Sequence, residues 1–346
     1  MSIVLSILAL SVLIVVHEGG HMVVARWCGM RVERFSIFFG PVLARFKRGE
    51  TTYQIAAIPL GGFVQIAGMN PAEQLSPDDS GSFENKPVLS RLATIFAGPA
   101  TNYLFATVLA FAALVAWGMP TLDKVSTRIE AFAQASTPAK DAGLLPGDRI
   151  ARIEGREIRG FEDVRRVVMA SGGRPLAFEV ERHGKPVRAA VRPRPRAAGG
   201  YEIGVAFEQV VKWEPVSYGH AAVAALVLPG ERAADTLAQL WGIVSGKIKP
   251  EVGGPVAIVG QLKVGFDRGL RDAVQMLIML NILLCVFNLL PIPALDGGRL
   301  AFLAYSAVTR RRVNPRVEMA VHTVGFVLLF GLLLLVTFKD IQRLVQ

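Results

Sequence analysis

Residues 15–24 read VVHEGGHMVV, with His17, Glu18 and His21 inside an otherwise apolar run. On a helix, residues four apart share a face, so the two imidazoles stand together and Glu18 lies beside them. This spacing, H-E-x-x-H, suits two histidine ligands on Zn²⁺ and a glutamate acting as general base on the water the metal activates. An ionisable side chain at mid-span costs about 2.5–3.5 kcal/mol on insertion scales, so its retention points to function. Gly19 and Gly20 weaken a helix by about 1 kcal/mol each relative to alanine. In return they remove bulk beside the metal, which would let a substrate backbone approach.

A catalytic zinc needs a third protein ligand and one open position. The best-placed donor is Asp296, in NLLPIPALDGGRL (288–300). Pro291, Pro293, Gly297 and Gly298 prevent a regular helix there. Broken backbone at membrane depth is tolerated where protein or a water-filled cavity satisfies it. Two other readings stay open. Asp296 could merely cap a helix beginning at Gly297, and Glu318 with His322 forms a second ionisable pair at i, i+4.

The elements that must position these groups follow from hydropathy. The chain has 346 residues, 52% of them hydrophobic, and a mean hydropathy of +0.41, which is too apolar for an ordinary soluble domain. Apolar stretches at roughly 3–27, 92–118, 274–295 and 318–338 can each cross about 30 Å of hydrocarbon. The first lacks the charged n-region and small-residue cleavage site of a signal peptide, and it reads as a retained span. Cys28 and Cys285 lie in or beside spans and suggest no disulfide.

The net charge of +10 is not a nucleic-acid signal, because of where the cations lie. Arg26, Arg31, Arg34, Arg45, Lys47, Arg48, Lys86 and Arg91 fall between the first two spans. Arg299, Arg310, Arg311, Arg312 and Arg316 fall between the last two. The positive-inside rule places both loops in the cytoplasm, with both termini and the long segment 119–273 outside. His183 and His220 are then on the wrong side to reach the metal. His17 lies fourteen residues from Ile3, about 21 Å along a helix, which puts the metal nearer the cytoplasmic face.

Segment 35–68 is rich in Phe, Ile, Val, Thr and Tyr with a turn signal at Arg48-Gly49-Glu50, and it reads as one or two β-hairpins at the membrane surface. Residues 69–90 are polar and form a loop. Segment 121–210 has the character of an extracytoplasmic α/β module, ending in a turn or linker at 193–200. Segment 215–248 reads as interfacial helices broken near Leu228-Pro229-Gly230. The chain thus divides into 1–118, the first two spans with the β-region; 121–210; an amphipathic connector at 211–270; and 271–346, the last two spans.

Taken together, HEGGH, FAGPATN (96–102) and NLLPIPALDGGRL resemble the bacterial site-2 protease family of intramembrane zinc metalloproteases, closest to the regulator-of-sigma-E type. FSIFFGP (35–41), IPLGGFVQIAG (58–68) and VGGPVAIV (252–259) are similar to that group's β-region and to its segment before the third span. The resemblance covers nearly the whole chain. It implies a polytopic α-helical membrane protein of four transmembrane helices, with membrane-associated β-hairpins and one PDZ-like domain at 121–210. It further implies one zinc held by His17, His21 and Asp296, with Glu18 as catalytic base and Asn288 in substrate handling. The expected location is the bacterial cytoplasmic membrane, and the expected substrates are single-span proteins such as anti-sigma factors or signal-peptide remnants. HEGGH departs from the more usual bulky residue after the glutamate, and the space suits one PDZ module rather than two.

In such an enzyme the 35–68 region would offer a strand edge to an unwound substrate, with Gly61 and Gly62 allowing close approach. Alternatively these strands only anchor the protein to lipid. The PDZ-like module would either capture an exposed C-terminus or filter substrates by size, with the filter the favoured reading. Two other function classes remain. A transporter also uses broken helices and buried charge, but no inverted repeat is visible. An inactive scaffold has no use for a base beside a metal.

Overall fold

The computed structural model describes residues 1–70, 73, 78–133, 136–196, 199–248, 253–311 and 313–345. Parts of the expected 69–90 loop and 193–200 linker, and Val252 of the 252–259 segment, lie outside them. The chain forms two compact units, Met1–Ala116 with Val216–Gln346, and Trp117–Pro215.

The first unit opens with helix α1 (Ser2–Trp27), strands β1 (Val32–Arg48) and β2 (Thr51–Ile66), and helix α2 (Val88–Trp117). β1 and β2 are one long antiparallel hairpin that curls on itself. Arg34 faces both Thr52 and Gln65, and Phe35 faces both Tyr53 and Val64. Residues 34–37 are therefore flanked on both sides, and the hairpin becomes a small sheet with residues 62–66 along one edge. The curl needs a bend in each strand, and Gly40 (φ 87°) and Gly61 (φ 125°) supply the left-handed backbone that larger residues resist. Phe39, Val42, Leu43, Phe46, Ile55 and Ile58 stay exposed on this sheet.

The second unit runs β3 (Met119–Phe132), α3 (Pro138–Asp141), β4 (Arg149–Ile153), β5 (Arg156–Glu157), α4 (Phe161–Ala170), β6 (Leu176–Arg182), β7 (Lys185–Val191), β8 (Arg194–Pro195), β9 (Tyr201–Glu202) and β10 (Val205–Glu214). Its main sheet is antiparallel in the order β10-β3-β4-β6-β7. Ile129, Leu144, Ile150, Ile153, Phe178 and Val180 form the core, against which α4 lays Val164 and Val168.

The chain then returns to the first unit through α5 (Tyr218–Val244), α6 (Pro255–Arg268), α7 (Leu270–Leu289), α8 (Asp296–Thr309) and α9 (Pro315–Val345). Among the described residues, four helices are long and apolar enough to cross a membrane: α1, α2, α7 and α9. The expected break at Pro229 does not occur, and α5 runs through it without interruption. A proline removes one helix hydrogen bond. Here Pro229 is buried, and Tyr103 on α2 donates its hydroxyl to the Leu226 carbonyl nearby, at 3.2 Å. The third span is shorter than expected because Leu290, which precedes Pro291, leaves α7 in an extended conformation (φ −65°, ψ 141°). At the other end of this group, buried Asp340 on α9 caps α6, accepting from the N–H groups of Gly254 (2.9 Å) and Ala257 (3.0 Å).

In the second unit Asp148 is 1% exposed and accepts 2.8 Å hydrogen bonds from Arg182 at both oxygens. Leu145 N–H donates a third, at 2.9 Å. Burial opposes its ionisation, but these donors outweigh it and hold the carboxyl below its ordinary value of 3.8. A carboxylate with a depressed pKa contributes stability that is complete at neutral pH and is lost as the pH falls through its folded value. Asp148→Asn should therefore destabilise this unit by about 2–4 kcal/mol at pH 7. It should also flatten the loss of stability below about pH 4. Urea titrations of the full chain in detergent, followed by tryptophan fluorescence across that range, check both.

Candidate metal centre and active site

α1 carries His17, Glu18 and His21 on neighbouring positions, and the loop 290–295 delivers Asp296 at the first turn of α8. The structure brings both imidazoles and this carboxylate together. His17 Nε2 lies 3.3 Å from His21 Nε2, and Asp296 Oδ2 is 3.1 Å and 3.3 Å from the two nitrogens. No other group of His, Cys, Asp or Glu among the described residues is arranged to hold a metal.

The protonation pattern argues for a cation at this point. His21 Nδ1 lies 2.8 Å from the Thr94 carbonyl, which can only accept, so that nitrogen carries the proton and Nε2 presents a lone pair. His17 Nδ1 lies 3.1 Å from the Asn102 amide. Zinc ligation at Nε2 requires the amide to turn Oδ1 toward the ring and accept the Nδ1 proton. His17 Nε2 is then a lone pair too. Asp296 Oδ2, itself buried and without a hydrogen-bond donor, faces both. With both rings neutral and the amide so turned, three acceptors meet with no proton between them. Donors about 2.0–2.1 Å from a tetrahedral zinc stand about 3.3 Å from one another, the spacing found here. The residues fit the ion.

Two helices must approach closely to build this site, and glycine permits it. A Cβ on Gly98 of α2 would stand 2.2 Å from His21 Nε2, so the ring lies flat on bare backbone. A Cβ on Gly20 would stand 2.4 Å from Thr101 Oγ1 and 2.5 Å from the Ala97 carbonyl. Gly20 thus seats α1 on α2, rather than clearing space for substrate as its sequence position suggested. Gly19 does face open space. Thr101 adds a hydrogen bond from α2 to the Val16 carbonyl of α1, at 3.1 Å.

Glu18 Oε2 accepts from the N–H of Val64, 3.0 Å away. Val64 sits in the 62–66 edge run, so the sheet and the glutamate are joined by one backbone hydrogen bond. Of the glycines expected to face substrate, Gly62 packs where a Cβ would meet Ser36 O at 2.8 Å and Ile14 Cγ2 at 2.9 Å. At Gly61 a Cβ would meet the Phe39 ring at 2.5 Å. Asn288, near the end of α7, donates to the Leu284 carbonyl of its own helix (3.0 Å). His322 is not drawn into the metal group: its Nδ1 accepts from Ala294 N–H at 3.0 Å, bracing the loop that carries Asp296.

Sequence reasoning passed over Asn102, Gly98, Thr94 and Val64. An asparagine buried at mid-span is a signal that could have been used, since an amide in hydrocarbon demands a partner. Thr94 and Val64 act through backbone groups, which leave no mark on side-chain identity.

Known proteins bear on this arrangement. A model of peptidase family M50 matches residues 5–332. A relative from Clostridium perfringens is 34% identical, covering 99% of this chain and 98% of its own, and one from Brucella suis is 33% identical, covering 96% and 93%. A third, from Nostoc, is 34% identical over 99% of this chain and 97% of its own. All three bear zinc metalloprotease names. Among solved structures, the PDZ domain of the SdrC-like protein of Listeria innocua aligns with 25% of this chain and 94% of its own, at 20% identity and a TM-score of 0.22, too low to assign a fold. The full-length match, the four apolar helices and the enzyme names agree: the chain belongs to peptidase family M50 and is a multi-pass membrane zinc metalloprotease.

Proposed function

We propose that this protein is an intramembrane zinc endopeptidase that cleaves peptide bonds within the transmembrane segments of single-span membrane proteins. His17, His21 and Asp296 hold one zinc ion, and Glu18 is the general base. The observation that carries this reading is the triangle of two imidazole nitrogens and a carboxylate oxygen, 3.1–3.3 Å apart, beside a glutamate in a helix long and apolar enough to cross a membrane. Zinc bound there supplies a Lewis acid that polarises the scissile carbonyl and acidifies water.

The chain's own residues do the rest. Thr94 and Asn102 fix both imidazole tautomers, so neither ring must reorganise when the ion arrives. Val64 N–H holds the Glu18 carboxylate on the sheet side of α1. Glu18 takes a proton from the attacking water, whose oxygen bonds to the carbonyl carbon, and passes it to the leaving nitrogen as the C–N bond breaks. A substrate helix hides its carbonyls in its own hydrogen bonds, so it must unwind first. The 62–66 edge supports a role in holding the unwound strand, because Val64 turns its N–H away from β1 and toward the base. Asn288 stands near the end of α7, on the approach to the loop bearing Asp296, and is proposed to contact substrate.

The exposed Phe39, Val42, Leu43 and Phe46, close to Arg45, Lys47 and Arg48, suit insertion at the cytoplasmic face of the bilayer. Trp117–Pro215 is then extracytoplasmic, and we read it as a PDZ-like module that filters substrates by size. Anti-sigma factors or signal-peptide remnants are substrates of the fitting class, in a bacterial cytoplasmic membrane.

In detergent, the wild type should cut a model transmembrane peptide, whereas Glu18→Gln should lose at least about 10³-fold in rate while keeping its zinc. A chelator should abolish cleavage, and equal rates for the two variants would overturn the assignment. Gly98→Ala should displace His21 and lower bound zinc below about half an equivalent per chain, read by metal analysis. Deleting 121–210 should admit longer, uncut substrates; unchanged selectivity would count against the filter.

A further inference from the structure

Beside Asp296 lies a second polar feature that the catalytic reading does not use. A cavity of about 360 Å³ is lined by Asn70, Ala294, Asp296, Arg299, Glu318 and His322 among others. Two of these carry donors that lack acceptors. Among the described residues Arg299 makes no hydrogen bond and no ion pair, although it lies in the fields of Asp296 and Glu318. His322 accepts at Nδ1 from Ala294 N–H, so its neutral ring carries the remaining proton on Nε2, and that atom is buried without a partner. Arg299 is half-buried, and its guanidinium is free to take an anion. A cation without an ion pair and a buried donor without an acceptor on one cavity suit an anion.

Resting on the protease reading, we propose that this cavity receives the carboxylate end of the cleaved peptide, with Arg299 as its principal contact and His322 as the second. Hydrolysis adds the oxygen of water to the carbonyl carbon and breaks the C–N bond. The acyl fragment leaves as a carboxylate, and the other fragment leaves as an amine that carries the proton. The carboxylate is therefore created next to Asp296, one helical turn from Arg299 on α8. The planar fork of a guanidinium matches that group in shape and charge. Glu318 lines the same cavity and opposes the incoming charge, which keeps the product from being held too long.

The test is equilibrium binding, read by fluorescence anisotropy, of one labelled apolar peptide ending either in a free carboxylate or in a carboxamide. The zinc-loaded full chain is used in detergent, with zinc content matched across variants. The wild type should prefer the carboxylate by about tenfold or more, the range of a charge-assisted hydrogen bond. Arg299→Gln should bring the ratio below about twofold, Arg299→Lys should retain part of it, and Glu318→Gln should raise it. Equal affinities in the wild type, or a preference that survives Arg299→Gln, would overturn the proposal. If Arg299→Gln fails to fold, Glu318→Gln decides by its opposite sign, and an unchanged or smaller ratio overturns. Binding is read without turnover, so a chain that failed to cut a model span would sink the function proposed above while this ratio is judged separately.

Discussion

Lone pairs repel, and in hydrocarbon there is little solvent to soften that repulsion. Two imidazole nitrogens and a carboxylate oxygen at 3.1–3.3 Å form an arrangement that a shared cation makes favourable. Much else in the first unit supports that meeting point. The Thr94 carbonyl and the Asn102 amide, both contributed by α2, decide which ring nitrogens keep their protons. Pro291 and Pro293 end α7 early enough for the chain to turn back and offer Asp296. His322 on α9 steadies the turn through Ala294, a residue held at φ 74°.

The hairpin serves the same centre from another direction. A two-stranded ribbon would leave both edges far from α1, whereas the curl folds the 62–66 run against that helix. One backbone N–H then reaches the glutamate. The sheet is thereby tied to Glu18 through a group that no substitution short of proline can remove, and its outer apolar face stays exposed.

Periodicity and hydropathy made part of this arrangement readable in advance. The i, i+4 spacing of His17 and His21 told which face they share, and the proline-rich 288–300 stretch announced a broken helix with one carboxylate in it. The four apolar helices were visible for the same reason: hydrocarbon thickness leaves little freedom in length. What escaped were contacts made by backbone atoms, at Thr94 and Val64, and contacts defined by an absent side chain, at Gly20 and Gly98. The continuity of α5 through Pro229 also escaped, because local propensity forbids it and only its neighbours permit it. The curl of the hairpin depends on pairing between segments that a linear reading treats as separate.

Gly98 has one more consequence. Because the His21 imidazole rests directly on α2 backbone, the thickness of an aromatic ring sets the gap between two lipid-embedded helices, much as a shim sets a machine clearance. The same side chain is both mechanical spacer and candidate metal ligand, and neither property can be adjusted alone. Any shift of α1 against α2 is therefore passed straight to the imidazole nitrogen that faces His17 and Asp296.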